Sequence, residues 1–508
     1  MSELAAAPVR THWTSSLLSG RGIAGFWILY GAIHAAYRLH LSPTLALDDA
    51  RASELVQSLE LGYQARQPPL YEWLLWGSQQ LFGSGLLSHI LLRYALIALL
   101  GYSVFAATRL AVRDERWAAV ASLSLVASYP VGWLFHEAMT QSILLSIACF
   151  VTLAAGIRYL QEPSWRTSAR LGVAIGFGLL TKFSYPVLLG GLLLAVLSLR
   201  ETRARLANRY LLLAAAIATA MILPFVAWLF AVRGSVAGAV AFAMIQTMQP
   251  HWLRALIGLG KLLGSLPLFL LPWIIFIALL VPGAFRRAGA TAPAAGLPER
   301  IAGRTLIFAV LLAMAGIAAI GATNIAERYM HAILIVAPVY VFARVARLAP
   351  GEDRIRRFAV FFVGAAIVVL GVRFLVYVDT GVTQRADRHV LINYEALARA
   401  LAERGLASGT AVAVTIRDAG NVRAFLPDLR VVSPDSFRLV RPARRPVDDQ
   451  SCILIWEAGW EPGARQIAPI DTLPQERFEA QSAPSILGRP RRDVWVVARL
   501  DPASPACR

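Results

Sequence analysis

Charge is scarce in this chain. Only 16% of its 508 residues are Asp, Glu, Lys or Arg, where a soluble globular protein carries about 25%. With 57% hydrophobic residues and a mean hydropathy of +0.57, that shortage excludes an ordinary soluble domain and implies a multi-span membrane protein. Lysine is scarcer still: of 49 basic residues only Lys182 and Lys261 are lysines. The net charge of +18 does not point to nucleic acid, because the arginines sit mostly in short loops between apolar segments, as topology signals do. Cysteine is reduced to Cys149, Cys452 and Cys507, without the spacing of a metal site. Cys149 lies in an apolar run and is expected to be packed there. Cys452 and Cys507 would pair in an oxidising compartment, but a strand-core thiol and a loose-tail thiol are the expectation. No cleavable signal peptide stands out, and the first apolar segment is long enough to stay as an anchor.

What is present is a succession of apolar stretches. A span needs about 20 apolar residues, and candidates fall near 22–41, 86–112, 117–134, 138–157, 170–183, 185–199, 210–232, 257–282, 305–322, 331–349 and 357–377. The short 170–183 and 185–199 pieces read as a tight hairpin, which brings the count to about 11. Basic residues fix the orientation. Alternate connections carry 20 of them (Arg10 and Arg21 through Arg354, Arg356 and Arg357) against 6 in the other set (Arg51, Arg66, Lys182, Arg233, Arg254 and Arg328). The richer set is cytoplasmic. Residues 42–85, the turns near 134–138 and 182–185, 233–256, 323–330 and the segment after 378 then face outward.

This orientation gathers the polar residues on one side. Asp48, Asp49, Glu72, His136, Glu137, Lys182, Glu327 and Arg328 all fall at the outer face, as do His34, Arg38, His89, Arg93, Lys261 and Arg373 within spans. Charge inside a membrane is costly and usually faces a cavity, so the clustering predicts an outward-facing polar cavity; snorkelling to headgroups is the plainer explanation for any one arginine. The first outer loop has helical spacing at 50–61 and an amphipathic aromatic stretch at 70–82, both read as interface helices. The 233–256 loop, with Phe242, Met244, Met248 and Trp252, reads as a similar element and a mobile lid. Residues 379–508 carry charges of both signs. A helix is expected at 390–404 and strands at 410–416, 430–433, 452–456 and 494–500. They form a small soluble α/β domain without a Gly-rich phosphate loop or a nucleophile elbow. The chain thus divides into a transmembrane part, 1–378, and an outer domain, 379–508.

Four motifs then stand in order on the outer side. They are Asp48-Asp49 followed by Leu61-Gly62-Tyr63 and Gln67-Pro68-Pro69-Leu70; His136-Glu137 before the fourth span; Gly178-Leu179-Leu180-Thr181-Lys182-Phe183-Ser184; and Glu327-Arg328-Tyr329 before a span containing Pro338. With them the chain resembles the polytopic glycosyltransferases of the GT-C fold, in the bacterial group related to protein O-mannosyltransferases and the lipid A aminoarabinose transferase. The Gln-Pro-Pro-Leu-Tyr stretch is also similar to lipopolysaccharide galacturonic acid transferases. The resemblance covers residues 1 to about 350.

The resemblance implies a polytopic α-helical membrane enzyme in a bacterial inner membrane with a periplasmic tail domain. It implies a polyprenyl-phosphate sugar as donor, a glycan or lipid acceptor, and inversion at the anomeric carbon. Asp48 then serves as general base, with Asp49 as a second catalytic candidate; N-capping of the interface helix is the alternative for both. Lys182, Arg328 and Arg66 are candidate donor-phosphate ligands, against interface anchoring. Tyr63, Glu72, His136, Glu137, Glu327 and Tyr329 are candidate substrate contacts, against a solvated helix face, polar turns and the aromatic belt. No metal site is identified. A divalent cation stays open, since Asp49, Glu72 and His136 could supply ligands. Two readings of other classes also stay open: a transporter or flippase of a lipid-linked substrate, and a sensor in which Asp48 is dispensable.

Overall fold

A computed structural model describes residues 16–206, 208–232, 234–281, 293–348, 351–378, 390–434, 438–449, 451–481 and 492–508. Helices occupy every one of the expected apolar stretches. Among the described residues six are long and apolar enough to cross a bilayer alone: Leu86–Thr108, Thr140–Gln161, Tyr210–Ala231, His251–Leu271, Leu297–Ile320 and Glu352–Leu375. A seventh candidate is the pair Glu115–Ala127 and Pro130–Glu137, bent by 65°. Pro130 cannot donate a backbone hydrogen bond at the break, and the carbonyl of Ser124, six residues earlier, takes the indole N–H of Trp273 at 2.9 Å. The chain is a multi-pass membrane protein. The topology arginines Arg10, Arg233, Arg286 and Arg287 lie outside the described residues.

Helix α1 (Gly20–Leu41) packs on α2 (Leu86–Thr108), which packs on α3 (Thr140–Gln161). The expected hairpin is present as Trp165–Leu179 and Tyr185–Leu197. It turns tightly because Gly178 lies against the Tyr185 ring, where a Cβ would collide. In the first outer loop the helix runs over Leu47–Leu55 rather than 50–61, so Asp48 and Asp49 sit inside its first turn. They are not its caps: the N-cap is Ala46, with no side-chain cap. The second loop helix spans Leu70–Phe82, as expected.

The last long helix ends at Val378, and the expected domain boundary borders the undescribed residues 379–389. Beyond it stands a five-stranded sheet in the order β2-β1-β3-β5-β4, with β1 Gly409–Ala413, β2 Leu429–Val432, β3 Cys452–Glu457, β4 Gln475–Gln481 and β5 Arg492–Leu500. The first three strands are parallel; β5 runs antiparallel to β3 and β4. β1 and β2 are wholly buried, as parallel strands covered on both faces are, and the one charge within them, Arg430 of β2, donates to the carbonyls of Pro442 and Cys507 at 3.0 Å each. The expected helix is Tyr394–Glu403, and a second, Ile416–Phe425, joins β1 to β2.

Cys452 and Cys507 form a disulfide across 55 residues of sequence, which corrects the expectation of two unpaired thiols. β3 begins beside the tail, so residues remote in sequence meet. Cys149 is free and buried, as expected. Mass spectrometry after alkylation should therefore find one modified cysteine in the denatured protein and three once it is also reduced. A bridge closing a loop of this size contributes about 2–4 kcal/mol, so reduction should lower the apparent Tm of the outer domain. Three alkylated cysteines without reductant would refute the bridge.

Candidate active site

The site is assembled on the first turn of α3. Of four consecutive residues there, Met139, Gln141 and Ser142 each hold one group from elsewhere. The backbone N–H of Met139 donates to Asp48 Oδ2 at 2.7 Å. Thr140 lies beside the phenol of the fully buried Tyr71. Gln141 Nε2 donates to Glu72 Oε1 at 3.1 Å. Ser142 Oγ accepts from Lys182 Nζ at 2.9 Å. Met139 adopts φ 62°, the only described non-glycine residue with positive φ. That left-handed kink turns its N–H out of the helix toward Asp48. The N-terminus of a 22-residue helix also carries unpaired N–H groups and the positive end of its dipole, which favour an anion.

Two neighbours fix this arrangement. Asp49 is fully buried and its Oδ1 accepts from Arg93 Nη2 at 2.6 Å, with His89 Nδ1 3.7 Å away. Arg93 Nη1 donates to the carbonyl of His136 at 2.7 Å. Burial, the largest single influence, would raise the Asp49 carboxyl, but Arg93, His89 and Arg38 together outweigh it and hold Asp49 down at about 2. His136 in turn lies between the hydroxyls of Tyr30 and Tyr94, at 3.3 and 3.4 Å, and stacks on His34 at 3.9 Å between centroids. The turn carrying Lys182 is joined to the first loop, because Leu70, after Pro68-Pro69, donates its N–H to the Leu180 carbonyl at 3.2 Å. Burial lowers the Lys182 ammonium to about 8; Asp48 opposes this and the nearby Arg66 adds to it.

Glu72 is buried, and its Oε1 also accepts from Gln64 Nε2 at 3.1 Å. Burial, only partly countered by these hydrogen bonds, pushes Glu72 up to about 7. The native state therefore binds this proton more tightly than the unfolded chain. The contribution is present below about pH 4.5, where both states are protonated, and is lost as pH rises to about 7. The apparent Tm of the wild type should fall over that window, and Glu72→Gln should flatten the fall. Parallel pH profiles for the two proteins would contradict the burial of a neutral Glu72.

The structure thus brings Asp48, Asp49, Glu72 and Lys182 together, with Arg66 close to Lys182. Other expected residues go elsewhere. The Tyr63 hydroxyl donates to the Ser58 carbonyl at 3.0 Å and braces its own loop. Glu137 pairs with Arg373 at 3.3 Å, and Arg373 covers the Trp133 ring. Arg328 is exposed and stacks on Tyr329. Glu327 lines a cleft of about 310 Å³ with Tyr129, Leu268, Phe269 and Leu271. Among the described residues no three His, Cys, Asp or Glu side chains converge as a metal-binding group. Sequence reasoning passed over Gln64, Gln141, Ser142 and His331. The first three are polar residues at a loop or at the mouth of a span. His331 is buried, donates its Nδ1–H to the Arg328 carbonyl at 2.7 Å, and lies on the short helix packed against α3 and the Lys182 hairpin.

The chain has relatives in sequence and in fold. The profile of the dolichyl-phosphate-mannose-protein mannosyltransferase family matches residues 66–228. The chain is 26% identical over 468 residues to the lipopolysaccharide core galacturonosyltransferase RgtA of Rhizobium johnstonii, covering 89% of this chain and 88% of that one. RgtB of the same organism is 26% identical over 445 residues, covering 84% and 85%. The fold is similar to that of ArnT from Cupriavidus metallidurans bound to undecaprenyl phosphate, with a TM-score of 0.59 at 15% identity over 95% of this chain and 99% of that one. The chain is a glycosyltransferase of the GT-C fold. The transport and sensing alternatives give way to that activity.

Proposed function

We propose that this glycosyltransferase moves a sugar from a polyprenyl-phosphate donor to a hydroxyl of lipopolysaccharide or another envelope glycan. The reaction takes place on the periplasmic face of a bacterial inner membrane. The observation that carries this reading is the placement of Asp48 and Lys182 three residues apart on one helix end, at Met139 and Ser142. An acceptor hydroxyl attacks the anomeric carbon as the carbon–oxygen bond to the lipid phosphate breaks. Asp48, with Oδ2 anchored on Met139, takes the hydroxyl proton on Oδ1. The departing phosphate meets Lys182, Arg66 and the N-terminal dipole of α3. One such displacement inverts the anomeric centre. Asp49 keeps Arg93 and the Asp48 helix in place. The disulfide supports an oxidising compartment for the outer domain, and the names of the relatives rank lipopolysaccharide first among acceptors.

The test is mass spectrometry of lipid A, core oligosaccharide and polyprenyl-phosphate lipids. The strains are a deletion, the deletion with wild type restored, and the deletion with Asp48→Asn at equal expression. Loss of one sugar from an acceptor with accumulation of its lipid-linked donor, repaired by wild type alone, is the expected result. Unchanged glycans and donor lipids in the deletion would defeat the reading.

A further inference from the structure

The helix that carries Asp48, Leu47–Leu55, has nine residues, too few to be stable alone. Besides the Asp49–Arg93 pair and the Met139 bond, it is supported from the outer domain. Before it, Leu45 has both backbone polar groups taken by the buried Asn421: its N–H donates to Oδ1 at 2.7 Å, and Nδ2 donates to its carbonyl at 3.3 Å. After it, Gln57 mirrors this on β2. Its Oε1 accepts the Val431 N–H at 2.9 Å and its Nε2 donates to the Val431 carbonyl at 2.7 Å. β2 is an edge strand, so Gln57 covers backbone groups that would otherwise lack a ladder partner. Between the two clamps Gly420 lies flat on Ala50, and a Cβ there would strike the Ala50 carbonyl. Glu54 forms a buried ion pair with Arg438 on the same side.

We propose that Asn421 and Gln57 are positioning residues for transfer. Two amide-to-backbone clamps, one at each end of the Asp48 helix, make the outer domain part of the catalytic framework. The clamps set where the helix begins and ends along its axis, and the Gly420–Ala50 contact sets its depth. Asp48 is thereby presented to Met139. Catalysis is sensitive to such placement, and about 1 Å of displacement can cost about 100-fold in rate. The inference rests on Asp48 acting as base.

The test uses the full-length enzyme reconstituted in proteoliposomes, with donor lipid and acceptor varied separately. Asn421→Ala and Gln57→Ala should each lower kcat about 10-fold or more, with donor KM changed less than about twofold. Phe478→Ala is the control: it empties part of the outer-domain core in β4, at the opposite edge of the sheet, and should keep kcat wherever the protein is folded. Should Asn421→Ala not accumulate, Gln57→Ala, on the membrane side of the contact, decides. Unchanged kcat in the clamp variants overturns the proposal. So does an equal loss in Phe478→Ala, or failure of both clamp variants to fold, since either makes the contact merely structural. An active Asp48→Asn enzyme overturns the base assignment itself and is read separately.

Discussion

Asp48→Asn should lower kcat by about 100- to 10,000-fold, the usual contribution of a positioned general base. The substitution is nearly isosteric. Its amide oxygen can still accept from Met139 N–H, the 2.7 Å bond that fixes the side chain, so the helix and the left-handed turn at Met139 should persist. What disappears is the capacity to take a proton from the acceptor. Steady-state assays with purified, reconstituted enzyme should show the loss in kcat at both saturating and limiting acceptor, with donor KM little changed, because Lys182 and Arg66 are untouched. Single-turnover measurement would place the loss in the chemical step. Asp48→Ala should lose stability as well, since it leaves the Met139 N–H without its partner. A kcat within tenfold of wild type for Asp48→Asn would remove Asp48 from the proton transfer and leave it as a brace for the start of α3.

The acidic pair was legible in the sequence for a physical reason. Carboxylates at the edge of a bilayer are expensive and persist where something uses them, and the arginine asymmetry alone puts Asp48, Glu72 and Lys182 on one side. The division of labour within the pair was not legible. Asp48 and Asp49 are adjacent in sequence, but in a helix they point about 100° apart, and only the packing shows that Asp49 faces Arg93, 44 residues away. The same limit applies to Gln141 and Ser142. A polar Thr-Gln-Ser run at the start of a span is unremarkable until the Lys182 turn and the Leu70–Phe82 helix are folded against it. In the outer domain β1, β2, β3 and β5 were visible as β-branched or apolar runs. β4, Gln-Glu-Arg-Phe-Glu-Ala-Gln, was missed because an edge strand with one solvated face carries little apolar signal. The disulfide escaped because nothing local ties Cys507 to β3.

Removing Arg93 alone should be the most destabilising single change in the site. Asp49 is fully buried and Arg93 nearly so, at 0% and 1% exposure, so Arg93→Met would strand a buried carboxylate without its main partner. Breaking a buried ion pair from one side costs about 3–5 kcal/mol, while replacing both partners is often close to neutral. Asp49→Asn/Arg93→Met should therefore recover much of the stability lost in Arg93→Met, measured as apparent Tm in detergent. Activity should not recover in step. Arg93 also holds the His136 carbonyl, three residues before the Met139 that anchors Asp48, and the double variant loses that tie between the Asp48 helix and the mouth of α3. Acid offers an independent check. Asp49, held at about 2, contributes stability that is present above the ordinary carboxylate range and is lost only as pH falls from about 4 toward 2. The part of the acid transition that Asp49 controls should accordingly fall below pH 4 in the wild type and be absent in the double variant. A double variant no more stable than Arg93→Met would show that packing around these side chains, rather than an unpaired charge, carries the cost.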